Sequence, residues 1–566
     1  MPSGLSIQDF VIFSPVILLT VWGLLSLILD LTVFSRSDSS TRNRALGLWT
    51  LAGLVGTLVL CQYLSFQIIG PAPGRDAQIF FGSLNGGLLF SQFSSLVILF
   101  AVLVTCLSMV WNFTTHWGEY YAMLVWSAVS MIILIASEDL LSLFLSLETM
   151  TICLYLMTAM EKSKQRSAEA GLKYFVYGSV SSALFLFGLS LVYGQTGTVN
   201  IDMIGQALLA QDKPGLAGNV AGGVAVLLIM VGFGFKVSAV PFHQWAPDAY
   251  EGAPAPVAAW LASGSKLASL VAMVKVMGGA LGPWASTTSP TSPGWVGLLA
   301  LISAATMTYG NFSALGQLNL KRLLAYSSIA HAGYMLIGVI AVGVSERREE
   351  AAAALFFYLV IYGLTTIAGF ALAAWIDRDR NSENVDDLNG LGRRHPYVGI
   401  GVCLLMLSMI GIPPTAGFFG KLYMFMEALN VGGGDRVTMI GLVALGLFNS
   451  VVSAFYYIRI LKAMFLRDSS GAELKSMGPE IALPLFVGAS LTLFFGFRPA
   501  VLLEDMEHVA KNGLSFVHKQ LPDEIRTAPA SLQPMMPSVT PESEKPGDQP
   551  KAEPAGDPKS EPKKPS

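Results

Sequence analysis

The feature that most limits how this chain can fold is a recurrence of apolar runs about 20 residues long, the length a helix needs to cross a bilayer's hydrocarbon. Fourteen such runs follow one another, at roughly 10–34, 45–66, 90–110, 120–137, 140–160, 171–193, 219–240, 256–280, 294–315, 324–344, 352–376, 397–427, 437–465 and 481–497. In hydrocarbon every backbone N–H and C=O has to be satisfied within the protein, so runs of this length fold as helices. Composition agrees. Of 566 residues 53% are hydrophobic and 13% charged, about half the roughly 25% charged share of a soluble domain. The expected fold is an all-α polytopic membrane protein with about 14 transmembrane helices.

Loop charges orient this set. With sides assigned alternately, one side carries Arg36, Arg42, Arg44, Lys162, Lys164, Arg166, Lys321, Arg322, Arg378, Arg380, Arg393, Arg394, Arg467 and Lys475. The other carries Arg75, Lys213, Arg347, Arg348 and Arg436 before the C-terminal region. The excess of basic residues marks the cytoplasmic side, which places both termini on the non-cytoplasmic side. The first cationic side chain is Arg36, so a cleaved signal peptide is not expected.

Other classes of function are excluded early. A net charge of −3, from 35 basic and 38 acidic residues, offers no basic field for nucleic acid. Cys61, Cys106, Cys153 and Cys403 each stand alone in an apolar run, which argues against disulfides and metal centres. The six histidines lack metal-ligand spacing, and no phosphate loop, iron–sulfur or haem motif occurs. Beyond about residue 524 the chain is rich in Pro, Glu, Lys and Ser and is expected to be disordered. The stretch 500–519 is expected to lie along the membrane interface.

The informative residues are ionisable groups inside the runs, where each costs at least about 2.5–3.5 kcal/mol at a helix centre. Glu148 is the lone charge of LLSLFLSLETMTICLYLMTAM; Lys236, Lys266, His331 and Lys421 lie inside four other runs. Together they suggest a polar pathway. Lys275 is nine residues beyond Lys266, about 900° of rotation at 3.6 residues per turn, so it faces the other way. Near the end of its run, it reads as a snorkelling lysine whose replacement by alanine should be close to silent. Lys173, at the start of its run, receives the same reading.

Two of these runs contain prolines. Pro241 follows Lys236 by five residues, and Pro413 and Pro414 precede Lys421 by eight and seven. A helix-interior proline supplies no N–H and displaces the carbonyl four residues earlier, here those of Val237, Met409 and Ile410. The seventh and twelfth helices are therefore expected to be broken, as at transporter ion sites. Glu148 to Lys236 is 88 residues and His331 to Lys421 is 90. Each interval ends at a lysine in a proline-broken helix, and the two units lie five helices apart. An odd separation reverses direction, which implies two inverted five-helix repeats.

At these same residues the chain resembles a known family. The segments SEDLLSLFLSLETMTICLYLMTA, RSAEAGLKYFVYGSVSSALFLFGLSLVYGQTGT, FKVSAVPFHQWAPDAYEGAPAPV, NLKRLLAYSSIAHAGYMLIG, LSMIGIPPTAGFFGKLYMF and NSVVSAFYYIRIL are similar to the subunit N family of proton-pumping NADH–quinone oxidoreductase, respiratory complex I. The resemblance covers roughly residues 10–497 in order. It implies an antiporter-like bundle: 1–120 with three N-terminal helices, 121–280 and 294–465 as inverted repeats, 481–523 as last helix and interfacial segment, and 524–566 as tail. It implies proton-translocating roles for Glu148, Lys236, Lys266, His331 and Lys421, with Glu148 and Lys236 as a charged pair and Lys266 as a bridge. It also implies a location in the cell inner (plasma) membrane among other membrane subunits, including neighbouring antiporter-like ones, and a quinone pool. NADH, FMN, iron–sulfur clusters and quinone would belong to partner subunits, with no cofactor in this chain. A multisubunit cation/proton antiporter or a membrane-bound hydrogenase arm would share the same bundle and lysines.

Overall fold

A computed structural model of the chain describes residues 6–67, 78–110, 112–211, 216, 219–285, 294–380, 382–468 and 476–514. The chain divides into Met1–Lys519 and Gln520–Ser566. The second unit, with the expected tail, lies outside the described residues, as do Arg75, Lys213 and Lys475.

The apolar runs are helices. Among the described residues, thirteen are long and apolar enough to cross a membrane. Spans 1 to 6 are Ser14–Thr32, Ser39–Gln67, Leu88–Ser108, Trp117–Ala136, Leu140–Thr158 and Gln165–Thr196. Span 7 is Val220–Val237, span 8 Ala255–Ala280, span 9 Trp295–Leu315, span 10 Leu320–Val344 and span 11 Arg348–Arg380. Span 13 is Arg436–Leu466 and span 14 Pro479–Phe497. The twelfth place is taken by two half-helices, Pro396–Ile410 and Ala416–Leu429. Span 7 likewise stops at Val237 and resumes as Trp245–Gly252. The proline positions predict both breaks.

Spans 8, 10 and 11 are enclosed by the others, whereas spans 1, 2, 6 and 13 turn Leu25, Phe66, Phe187 and Phe455 outward. Lipid tails are as apolar as these side chains, so the bundle is held by close packing rather than by hydrophobic exclusion. Spans 9 and 10 meet through reciprocal glycines. A Cβ on Gly333 would lie 2.4 Å from the Met307 backbone nitrogen, and one on Gly310 2.5 Å from that of Ala330. The helix Pro499–Gly513 places its apolar face, Leu502, Met506 and Val509, against spans 3 and 11. That face is covered by protein.

The two halves repeat at residue level. Asp139 caps span 5, accepting from the backbone of Leu141 (2.9 Å) and Ser142 (2.8 Å). Asn319 caps span 10, accepting from Arg322 N (3.0 Å). Asp139 bridges to Asn200 beyond span 6, and Asn319 to Asn384 beyond span 11, both antiparallel. The flanking bonds correspond too. Leu140 N donates to Val199 O (2.9 Å) and Ile201 N to Glu138 O (2.9 Å), while Leu320 N donates to Glu383 O (2.6 Å) and Val385 N to Leu318 O (2.8 Å). The offset is 180 residues, from 139 to 319. Carried along these helices, it aligns Glu148 with Ser328 and Thr151 with His331. The sequence spacing had paired Glu148 with His331, three residues out of register.

Candidate functional site

Span 5 carries Glu148 at the face met by spans 6 and 7. Its Oε1 accepts from Ser182 Oγ at 2.5 Å and from Lys236 Nζ at 3.3 Å. Lys236 also donates to Thr151 Oγ1 at 2.6 Å, and it occupies the last helical turn before the break in span 7. The lysine side chain is 3% exposed and the glutamate 22%. The ammonium is thus surrounded by its partners, while the carboxylate reaches the edge of the chain. At the break itself, the indole of Trp245 donates to the carbonyl of Phe235 at 2.9 Å, which also accepts from Ser238 N at 3.1 Å. Val240 N donates to Thr306 Oγ1 of span 9 at 2.9 Å, tying the break to the second half.

Lys266, in enclosed span 8, points the other way, into span 10. Its Nζ donates to the Ser328 carbonyl at 2.6 Å and to the Ser328 hydroxyl, to which Tyr362 Oη donates at 2.7 Å. Three residues on, His331 stands between two phenols, with Nδ1 2.6 Å from Tyr358 Oη and Nε2 3.2 Å from Tyr457 Oη. Tyr457 is also hydrogen-bonded to Ser327.

Lys421 lies on the second half of the broken twelfth span and reaches back across the break. Its Nζ donates to the carbonyls of Met409 (3.0 Å) and Ile410 (2.9 Å) and to Ser450 Oγ (3.2 Å). Those carbonyls are the two that Pro413 and Pro414 are expected to free. Gly411 turns the chain at φ +91°, and a Cβ there would lie 3.2 Å from Lys421 Cδ. The amine also sits 4.9 Å from the Tyr334 ring centre. Tyr334 Oη accepts from Asn311, itself bonded to Tyr456 and Asn449.

The five residues singled out in the sequence are all buried or partly buried in the enclosed part of the bundle. They form three clusters: Glu148 with Lys236; Lys266 with Ser328 and His331; and Lys421 with the half-helix end. Serine and tyrosine hydroxyls join these clusters beside the carboxylate, Thr151 and backbone carbonyls, and sequence reasoning missed Ser182, Ser328, Tyr358, Tyr362 and Tyr457. A usable signal was present, since Tyr358 and Tyr362 stand four apart on one helical face. Among the described residues no group of three or more His, Cys, Asp or Glu is arranged to hold a metal ion.

Two expectations are corrected. Lys275 does not snorkel: it is buried, and its Nζ lies 2.8 Å from Glu138 Oε1 and donates to the Ser137 (2.5 Å) and Ile135 (3.2 Å) carbonyls. The turn between spans 4 and 5 holds it inside, so alanine there is no longer expected to be silent. Lys173 is partly exposed but engaged, 2.7 Å from Glu169 and 2.9 Å from Asp248.

Residues 137–452 match the family described as NADH:quinone oxidoreductase/Mrp antiporter, TM. The chain is 37% identical over 503 residues to NADH-quinone oxidoreductase subunit N of Rhodospirillum rubrum, covering 88% of this chain and 96% of the relative. In respiratory complex I from Thermus thermophilus with bound aureothin, one chain superposes with a TM-score of 0.68 at 29% identity, over 87% of this chain and 98% of that one. A chain of the Mrp complex from Dietzia shares the fold, with a TM-score of 0.69 at 18% identity, over 87% of this chain and 96% of its own length.

Proposed function

The chain belongs to the subunit N family of NADH-quinone oxidoreductases and is an antiporter-like membrane-arm subunit, and from that premise we propose that it translocates protons through Glu148, Lys236, Lys266, His331 and Lys421. The observation that carries this reading is the succession of buried amines: Lys236 beside Glu148 and Thr151, Lys266 on Ser328, and Lys421 on the carbonyls at the break of the twelfth span. An ionised Glu148 stabilises the ammonium of Lys236, because a nearby opposite charge favours the charged form. Withdrawal of that carboxylate leaves a desolvated ammonium whose proton passes towards Lys266. Ser328, Tyr362, Tyr358, His331 and Tyr457 offer hydroxyl and imidazole steps onward to Lys421. Breaking a buried pair such as Glu148 with Lys236 is worth about 3–5 kcal/mol, comparable to moving a proton against roughly 100–200 mV, at about 2.3 kcal/mol per 100 mV.

NADH, FMN, iron–sulfur clusters and quinone belong to partner subunits in this reading, and quinone reduction there drives the charge cycle here. The exposure of Glu148 favours a multisubunit assembly over a stand-alone antiporter. A carboxylate facing hydrocarbon is expensive, so a neighbouring subunit covers it. Isolation of the native complex tests this directly: NADH-oxidising, quinone-reducing partners are expected, whereas vesicles in which the chain alone moves Na⁺ would support the antiporter alternative.

Orientation follows from the basic loops. Cysteine labelling is expected to place Arg42, Lys164 and Arg393 on the cytoplasmic side of the plasma membrane and Arg347 on the other, with both termini outside the cytoplasm. Opposite labelling of the Lys164 and Arg347 loops would invert the topology. Deleting residues 530–566 should leave assembly and quinone reductase activity nearly unchanged, since the segment has no apolar face to dock. A large loss of assembled complex would make the tail a binding element.

A further inference from the structure

Lys275 has a counterpart in the second repeat. Arg459 of span 13 donates through Nη1 to the Leu315 carbonyl at 2.8 Å and through Nη2 to the Gln317 carbonyl. Lys275 of span 8 donates to the carbonyls of Ile135 and Ser137. The acceptors are related by the same offset of 180 residues, from 135 to 315 and from 137 to 317, that relates the helix caps. In both repeats a cation therefore closes the carbonyl end of one helix, span 4 or span 9, just before the turn into the next.

The geometry points to Lys275 and Arg459 as equivalent clamps, positioning residues that fix the helices bearing the proton-carrying groups. A cation on the last carbonyls of a helix satisfies acceptors that lack intrahelical donors and lies favourably in the helix dipole. Each clamp joins the two helices whose alignment matters. Through Lys275, span 8 with Lys266 is fixed to the turn that begins span 5 with Glu148. Through Arg459, span 13, with Tyr457 and Ser450, is fixed to the turn that begins span 10 with Ser328 and His331. Arg459 is two residues from Tyr457, so a slip there moves the phenol that faces His331. The guanidinium meets its two carbonyls with two arms of its fork, whereas the single lysine Nζ meets both alone. The lysine also lies in the π-helical turn Val274–Ala280, buried throughout, a departure from α geometry of the kind found at functional positions.

The second repeat shows which part of the clamp is required. The position equivalent to Glu138 is Leu318, so the Arg459 clamp holds with no acid there. Glu138 is then the local counter-charge of a buried lysine and not a proton carrier. This inference rests on the proposed proton pathway, so Lys236→Ala serves as the reference for that pathway.

The test uses the assembled complex in membrane vesicles, with NADH-driven proton uptake divided by electrons delivered to quinone. Lys275→Met is expected to lower the uptake per electron that this chain contributes about tenfold while quinone reduction continues, since misplacement of order 1 Å can cost roughly a hundredfold in a transfer step. Lys275→Arg should restore it. The double variant Glu138→Leu with Lys275→Arg copies the second repeat's arrangement and is expected to assemble and keep full uptake per electron. Full uptake in Lys275→Met overturns the clamp. Loss of uptake in the double variant overturns it too, by showing that protons pass through the acid–amine pair. If Lys275→Met does not assemble, the double variant decides alone. If Lys236→Ala also keeps full uptake, the pathway reading fails and the clamp is left as a packing device, which overturns its positioning role.

Discussion

Replacement of Lys236 by alanine is expected to remove most of the proton uptake per electron that this chain contributes, with quinone reduction measured in parallel. The amine is buried and bonded to Glu148 and Thr151, and its loss strands a carboxylate whose other side-chain contact is Ser182. Removing one partner of a buried pair costs about 3–5 kcal/mol, so reduced thermal stability of the complex should accompany the loss. Lys236→Arg keeps a positive charge, but a guanidinium releases no proton near neutral pH, and full transfer should not return. Lys173→Ala is the fitting control, because its ion pairs are partly solvent-exposed and such pairs are worth about 0–1 kcal/mol. A Lys236→Ala complex that assembles normally and retains full uptake would show that protons do not run through this residue.

Lys421→Ala should be costly for a different reason. The amine satisfies the carbonyls of Met409 and Ile410 at the break. Each buried acceptor left without a donor costs about 1–3 kcal/mol. The expected result is a complex destabilised by about 2–6 kcal/mol, with uptake per electron lost even where assembly survives. Lys421→Met, which keeps most of the bulk, should not rescue it, since the thioether offers no donor. Gly411→Ala should act in the same direction and more weakly, forcing a side chain onto left-handed backbone at about 1–2 kcal/mol. Thermal unfolding of the purified complex measures both, and a Lys421→Ala shift within about 0.5 kcal/mol would mean that the carbonyls find other donors.

These two sites differ in how far the sequence revealed them. Helix number and limits were legible because apolar length is a local property of the chain. The freeing of the Met409 and Ile410 carbonyls was also legible, since proline chemistry fixes which carbonyls lose their donors, but that Lys421 meets them was not. Nor was Lys275. Its partner Glu138 lies 137 residues away, beside Asp139 in a turn, where an acid reads as an ordinary loop charge. The tyrosines around His331 were hidden because a phenol counts as apolar in a run of Phe, Leu and Val. The register of the repeat slipped because charge-to-charge spacing crosses loops whose lengths differ, whereas the distance from cap to residue along one helix cannot.

The matching caps also bear on the chain's ancestry. A cap and a pair of cation-bound carbonyls that recur 180 residues apart, with a bridge partner and a cation that recur 184 apart, are what a tandem duplication leaves behind. The two copies have kept the joinery and parted company in the chemistry: where one copy has Glu148, the other has Ser328, and where one has Thr151, the other has His331. After such a duplication, the framework residues are the heirloom held in common. The residues that differ between the copies, such as Glu148 against Ser328 and Thr151 against His331, are where the side-chain chemistry of the two halves diverged.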